Sequence, residues 1–241
     1  MDPVAASPSP NAVPDALGGR TLVLRRHGAV LFDMDGTLVD TETAWFEAGL
    51  ELLDGMDTQL PPDAYQQMHG LDLDAAVRWL QAHGARIERD EYVRRLLAAV
   101  ATRLPAAPAR EGAARWVTAV ARAGLPRAVV SNSPRGIVEA TLAPHAWARH
   151  LDVRVTVDDV GSPKPAPDAY LLAARRLGVA APDCLALEDS RVGARAAVAA
   201  GATCVLVTFG GIDPDEAHAI TPLVARDLLE AWSMVAGLGR G

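Results

Sequence analysis

Four short clusters of polar residues carry the chemistry this chain can do. The first is Asp33-Met34-Asp35-Gly36-Thr37-Leu38, which directly follows the apolar run Ala29-Val30-Leu31-Phe32. Two carboxylates at i and i+2 leave the end of an expected strand, with a glycine just behind them. A strand-end aspartate can attack phosphorus once a cation offsets the negative charge of a phosphate. A carboxylate two residues on can protonate the leaving oxygen and then take a proton from water. Gly36 permits the tight turn that brings both acids to one substrate. Two solvated aspartates in a turn are the plain alternative, and calcium loops share Asp-x-Asp-Gly. Here the loop continues with apolar Leu38-Val39 and lacks the later glutamate ligand of an EF-hand.

Three more clusters follow in order. Ser131-Asn132-Ser133 comes after Ala128-Val129-Val130 and before Pro134 and a helical pattern. A hydroxyl and free amides at a helix N-terminus suit phosphate, although serines also cap helices with no further role. Lys164 lies in Ser162-Pro163-Lys164-Pro165-Ala166-Pro167 and is the only lysine in the chain. Prolines on both sides hold it in a stiff extended segment, which a plain surface lysine would not need. Glu188-Asp189-Ser190 ends the run Leu185-Ala186-Leu187. Adjacent acids there offer hard oxygen ligands for magnesium, or simply begin the next helix.

The elements that must position these clusters are short apolar runs separated by helical patterns. Residues 29–32, 128–130, 185–187 and 204–207 read as strands buried on both faces of a parallel sheet. Between them, 112–123, 168–177 and 192–200 carry helical patterns closed by Gly124, Gly178 and Gly201. Alternating strands and helices predict a doubly wound, Rossmann-like α/β core, in which ligands bind beyond the carboxyl ends of the strands. The four clusters all lie at such ends. Residues 41–109 break the alternation. Helical patterns over 42–53, 73–82 and 91–104 occur there without a convincing strand, between two linkers, and predict an inserted helical cap able to move as a lid. The expected organisation is a flexible N-terminal tail over 1–22, a catalytic core from 23–40 and 110–241, and the cap over 41–109.

Bulk composition narrows the classes of partner. The chain has 241 residues, half of them hydrophobic, and a net charge of −7. An acidic surface disfavours nucleic acid but leaves room for a small phosphorylated metabolite held by a local cation. Cys184 and Cys204 sit in or beside apolar runs and read as buried thiols, a pattern that fits a reducing cytoplasm. No apolar run reaches the roughly 18 residues of a membrane span, and the Pro-, Ser- and Ala-rich start lacks the apolar core of a signal peptide. A monomer or small homo-oligomer is expected.

With all four clusters in place, the sequence resembles the haloacid dehalogenase superfamily, in the branch with a helical cap inserted after the first motif. The match spans residues 28–208 and rests on Asp33-x-Asp35-Gly36-Thr37, Ser131, Lys164 and Glu188-Asp189. The resemblance implies Asp33 as nucleophile and Asp35 as general acid and base. It implies that Ser131, Asn132 and Lys164, with Gly36 and Thr37, hold the phosphoryl group. It also implies a Mg2+ bound by Asp33, Asp35 (through its backbone carbonyl), Glu188 and Asp189. Asp35 argues against the dehalogenases of the superfamily, whose halide leaving group needs no proton. A cap without lysine argues against its Schiff-base phosphonatases. Trp45 stands where β-phosphoglucomutases carry a gating histidine, and the loop His69-Gly70-Leu71-Asp72 lacks their arginine. The pattern is closer to sugar-phosphate phosphatases. A phosphosugar mutase and a catalytically silent binding protein on the same fold are the alternatives. Trp45, Met68, His69 and Asp72 are candidates to face the substrate from the cap, each with an ordinary packing, surface or capping role as the competing explanation. Arg78 and Trp79 read as helix-face residues.

Overall fold

A computed structural model describes residues 22–23, 26–68 and 73–236. His69 and Asp72 therefore lie outside the described residues. The main sheet has six parallel strands in the order β4-β3-β2-β5-β6-β7. They are β2 (Ala29–Phe32), β3 (Arg127–Val130), β4 (Val153–Val155), β5 (Cys184–Glu188), β6 (Thr203–Val207) and β7 (Leu223–Ala225). A separate pair joins β1 (Leu22–Val23) to β8 (Val235–Ala236). The chain moves outward from β2 through β3 to β4, then returns to β2's other side with β5. The order therefore reverses between β2 and β5, the place where such sheets open a crevice for ligands.

Strand alternation sends side chains to two apolar layers. Val30, Phe32, Val129, Leu185, Leu187, Val205 and Val207 face one layer. There they meet Trp116, Val117 and Val120 of α5 (Ala113–Arg122) and Ala231 of α10 (Leu228–Ser233). The indole of Trp116 donates to the Leu228 carbonyl at 2.9 Å, which satisfies its one polar atom in the core. Ala29, Leu31, Ala128, Val130, Ala186, Cys204 and Leu206 face the other layer. That layer is covered by α7 (Asp168–Leu177), α8 (Arg191–Ala199) and α9 (Pro214–Ile220), whose inner faces are largely alanine. Burial on both sides explains why the strands read as unbroken apolar runs. β4 and β7 carry no such run: each is a three-residue edge strand, with Arg154 in the middle of β4.

Between β2 and α5 the described chain has no strand. Helices α1 (Glu42–Asp54), α2 (Ala64–Met68), α3 (Leu73–Ala82) and α4 (Arg89–Ala101) form their own apolar cluster around Ala48, Leu80, Tyr92 and Val100. Ile137 of α6 (Arg135–Leu142) joins that cluster from the core side. The two linkers of this insertion run beside one another. Val39 bridges Ala109 in antiparallel fashion, the Asp40 amide donates to Pro108 at 2.9 Å, and the Arg110 amide donates to Leu38 at 2.9 Å. Among the described residues no helix is long and apolar enough to cross a membrane.

Candidate active site

β2 and β5 are neighbours with Phe32 opposite Leu187, and the Asp33 amide donates to the Leu187 carbonyl at 3.0 Å. That register delivers Asp33 and Glu188 side by side at the reversal point of the sheet. Asp189 follows, and ligand oxygens of Asp33, Glu188 and Asp189 all lie within 4.8 Å of one another. Lys164 reaches the same point from the segment before α7. Its Nζ donates to Asp33 Oδ1 at 2.7 Å, Glu188 Oε1 at 2.6 Å and the Val130 carbonyl at 2.8 Å. The phenol of Tyr170, on α7, donates to the same Glu188 oxygen, and its ring centroid lies 5.1 Å from the ammonium.

Burial governs the electrostatics of this group. The Lys164 side chain is 3% exposed, and those of Asp33 and Glu188 are 9% and 0%. Burial alone would lower the pKa of Lys164, but Asp33 and Glu188 outweigh it and keep the ammonium charged. Burial and then the Glu188 carboxylate push Asp33 well above the usual carboxylate range, with Lys164 pulling back. The same two causes raise Asp189 to about 7. Burial and Glu188 also raise Tyr170, so its hydroxyl stays a donor.

The residues fit a divalent cation. Asp33 Oδ2 is buried and finds no hydrogen-bond partner among the described residues. A buried carboxylate oxygen without a partner is destabilising, and hard cations bind such oxygens. Three carboxylates around one ammonium carry an excess of two negative charges, which matches the charge of Mg2+. Space for this arrangement comes from two glycines. A Cβ on Gly36 would fall 2.0 Å from Asp189 Oδ2, and one on Gly193 2.0 Å from Glu188 Oε2. Gly36 also adopts φ +83°, a conformation that suits glycine.

Asp35 sits in a different environment, although it is only two residues from Asp33. Its Oδ2 accepts from Ser133 Oγ at 2.8 Å and Ser131 Oγ at 3.0 Å, and its Oδ1 from Thr41 Oγ1 at 3.0 Å. The three donors come from the loop after β3 and from the first linker of the helical insertion. Asp35 is half-buried, while Asp33 is buried. Two adjacent acids in contrasting surroundings are suited to different roles.

Not every residue singled out in the sequence turns a free group to this site. Thr37 donates its hydroxyl to Asp189 Oδ1 at 3.0 Å. Asn132 grips the backbone of Lys164, donating to its carbonyl at 3.1 Å and accepting from its amide at 2.9 Å. Both side chains therefore position other members of the group. Trp45 is half-buried at the edge of the insertion's apolar cluster, and Met68 lies within that cluster. Trp79 stacks on His83 with ring centroids 3.8 Å apart. Ser133, Thr41 and Tyr170 belong to the site without being identified from the sequence. The i, i+2 serine pair before Pro134 was a usable signal for Ser133. The others are recognisable only once distant segments are brought together.

The family model for haloacid dehalogenase-like hydrolases matches residues 27–201. Fructose-1-phosphate phosphatase YqaB of Escherichia coli is 34% identical over 191 residues, which cover 75% of this chain and 96% of that protein. Hexitol phosphatase A of Escherichia coli is 31% identical over 188 residues, covering 73% and 81%. The crystal structure of CbbY from Rhodobacter sphaeroides in complex with phosphate is similar with a TM-score of 0.72 and 28% identity, covering 85% of this chain and 96% of that one.

Proposed function

The chain belongs to the haloacid dehalogenase-like hydrolase family and is a phosphoric monoester hydrolase, and we propose that it hydrolyses a small sugar phosphate with Mg2+ through an aspartyl-phosphate on Asp33. The observation that carries this reading is the convergence of Asp33, Glu188, Asp189 and Lys164 at the reversal point of the sheet, with Asp35 held alongside by hydroxyls. Sugar and polyol phosphates are the substrates named for two similar phosphatases. The helical insertion over 41–109 is proposed as the cap that recognises the leaving group.

In the first half of the proposed reaction the Asp33 carboxylate forms a bond to phosphorus as the bond from phosphorus to the ester oxygen breaks. Asp35 gives its proton to that oxygen, which leaves as the alcohol. In the second half a water attacks the same phosphorus and Asp35 takes its proton. The bond between phosphorus and Asp33 breaks, so inorganic phosphate is released and both aspartates are restored. Lys164 supplies positive charge beside the phosphoryl oxygens, and Ser131 would turn its hydroxyl from Asp35 to one of them, where most of the stabilisation in such transfers is needed. Asp33, Asp189, Glu188 and the Asp35 carbonyl would hold Mg2+, which when bound offsets phosphate charge and keeps Asp33 ionised.

Phosphate release from a panel of sugar, polyol and nucleoside phosphates, with Mg2+ and with chelator, tests the proposal beside Asp33→Asn. Metal-dependent release that vanishes in the variant is expected, along with phosphate trapped on Asp33 by rapid quench and mass spectrometry. Conversion of glucose 1-phosphate to glucose 6-phosphate without phosphate release would replace hydrolysis by a mutase. Equal turnover in the two proteins would remove Asp33 from its role.

A further inference from the structure

We infer that Arg110 is a positioning residue, which fixes the turn carrying Asp35 to both linkers of the helical insertion and so keeps Asp35 aimed at the leaving oxygen. The inference rests on the proton-transfer role proposed above for Asp35. Arg110 lies in the second linker, and its guanidinium contacts three other segments. Its Nε donates to the Gly36 carbonyl at 2.9 Å, inside the turn between Asp35 and Thr37. Its Nη1 pairs with Asp40 Oδ2 at 2.9 Å, in the first linker. Its Cζ lies 4.6 Å from the centroid of Phe209, in the loop after β6. The Arg110 amide meanwhile bonds Leu38.

Two independent features indicate that this contact is built rather than incidental. Phe209 holds φ +45°, and it is the only non-glycine with positive φ among the described residues. A bulky side chain in that region is strained, and such strain persists where the surroundings impose it. Here it places the ring as a platform under the guanidinium. The second feature is convergence. Thr41 of the first linker holds the Asp35 carboxylate, while Arg110 of the second holds the carbonyl of Gly36, the next residue in the turn. Both connections to the insertion therefore end on the one turn that carries the proposed acid–base residue. A planar guanidinium can bond the carbonyl, bond the carboxylate and stack on the ring together, whereas an ammonium cannot.

A displaced Asp35 matters most when the leaving group needs a proton. A p-nitrophenolate leaves readily without one, but a sugar alkoxide does not. The test therefore compares kcat/KM, which reports the first half-reaction and leaves out the water attack common to both esters, for p-nitrophenyl phosphate and for the sugar phosphate hydrolysed fastest in the panel above. The proteins are the wild type, Arg110→Ala, Arg110→Lys, Phe209→Leu and Asp35→Asn, each with its thermal midpoint recorded. Arg110→Ala is expected to lose about 30-fold on the sugar phosphate and less than about 3-fold on the nitrophenyl ester. Arg110→Lys and Phe209→Leu are expected to fall between it and the wild type, and they carry the test if Arg110→Ala does not fold. Equal losses on both esters across these variants would reduce Arg110 to a structural brace and overturn the inference, while a selective loss in Asp35→Asn would leave the reading of Asp35 intact. If Asp35→Asn itself shows no selectivity, the reading of Asp35 fails and the inference falls with it.

Discussion

Replacing Lys164 by methionine removes the one ammonium from a dry cluster of acids while keeping most of the buried volume. In the wild type that ammonium donates to Asp33, Glu188 and the Val130 carbonyl. The side chain is 3% exposed, so water has little access to replace it. Stranded carboxylates can stay ionised and unpaired, which is destabilising by about 3–5 kcal/mol. Alternatively one of them takes up a proton. A free aspartate has a pKa near about 3.9, so protonating it at pH 7 costs about 4 kcal/mol, at about 1.4 kcal/mol per unit. The expected deficit in metal-free buffer is therefore about 4 kcal/mol, or about 8–16 °C in thermal midpoint for a chain of this size. Asp33 and Asp189 are already raised in the wild type, and loss of Lys164 raises these carboxyls further, so the variant's folded state binds about one more proton than the wild-type folded state. Its deficit should shrink as pH falls, by about 1.4 kcal/mol per unit below pH 7. Thermal melts of both proteins in chelator from pH 7 to pH 5.5 measure this. A deficit below about 1 kcal/mol, or one that does not move with pH, would show that these acids are not buried together around Lys164.

Further expectations follow from other parts of the structure. Asp159 bonds Thr156 and pairs with Arg135 and Arg176; burial alone would raise its carboxyl, but Arg176 and Thr156 pull it down to about 2. Its contribution is present above pH 4 and lost as pH falls toward 2. After discounting for half-exposed arginines, Asp159→Ala should cost about 1–2 kcal/mol at pH 7, with urea titrations of the two proteins converging as pH falls to about 2. Gly193→Ala places a methyl against the Glu188 carboxylate in a helix that otherwise favours alanine. A loss of about 1–3 kcal/mol on denaturation, with a fall in kcat, is expected, and a more stable variant would contradict the packing. Mg2+ added to chelated protein at about 100 times its Kd should raise stability by about 2.7 kcal/mol, read as a rise of about 5–11 °C in thermal midpoint. Asp189→Asn should blunt that rise.

The parts of the fold legible in the sequence were those whose burial leaves a local trace. Residues 29–32 and 184–187 are apolar throughout because both faces of the sheet are covered, and their ends announce themselves as Asp33 and Glu188-Asp189. Helices over 73–82 and 168–177 match their patterns to the residue. The edge strands β4 and β7 were not visible, because three residues give no period and an edge tolerates Arg154. The acids and Lys164 could be named from order and type alone. Their supports could not. Tyr170 reads as one more apolar position of α7, and nothing local shows that its hydroxyl meets Glu188. Thr37 and Asn132 sit in the motifs and were expected to bind phosphate. Their side chains bond Asp189 and Lys164, a choice set by pairing between segments far apart in the chain.

The cluster poses a problem that its own residues cannot solve. Burial makes Lys164 effective, because an ammonium at 2.6–2.7 Å from two carboxylates is poorly screened there. The same burial makes three acids and one base repel an incoming phosphate. Protonating the acids would relieve the repulsion, and the raised carboxyls of Asp33 and Asp189 show the site leaning that way. A protonated Asp33 is no nucleophile, however, so neutralisation by protons would silence the proposed reaction. A divalent cation removes the excess charge while leaving Asp33 ionised, and the unpartnered Oδ2 of Asp33 is an atom it would satisfy. The proposed need for a metal arises from the balance of one lysine against three acids. Any change that restores that balance without metal, such as Asp189→Asn, should weaken the response to Mg2+ before it weakens the fold.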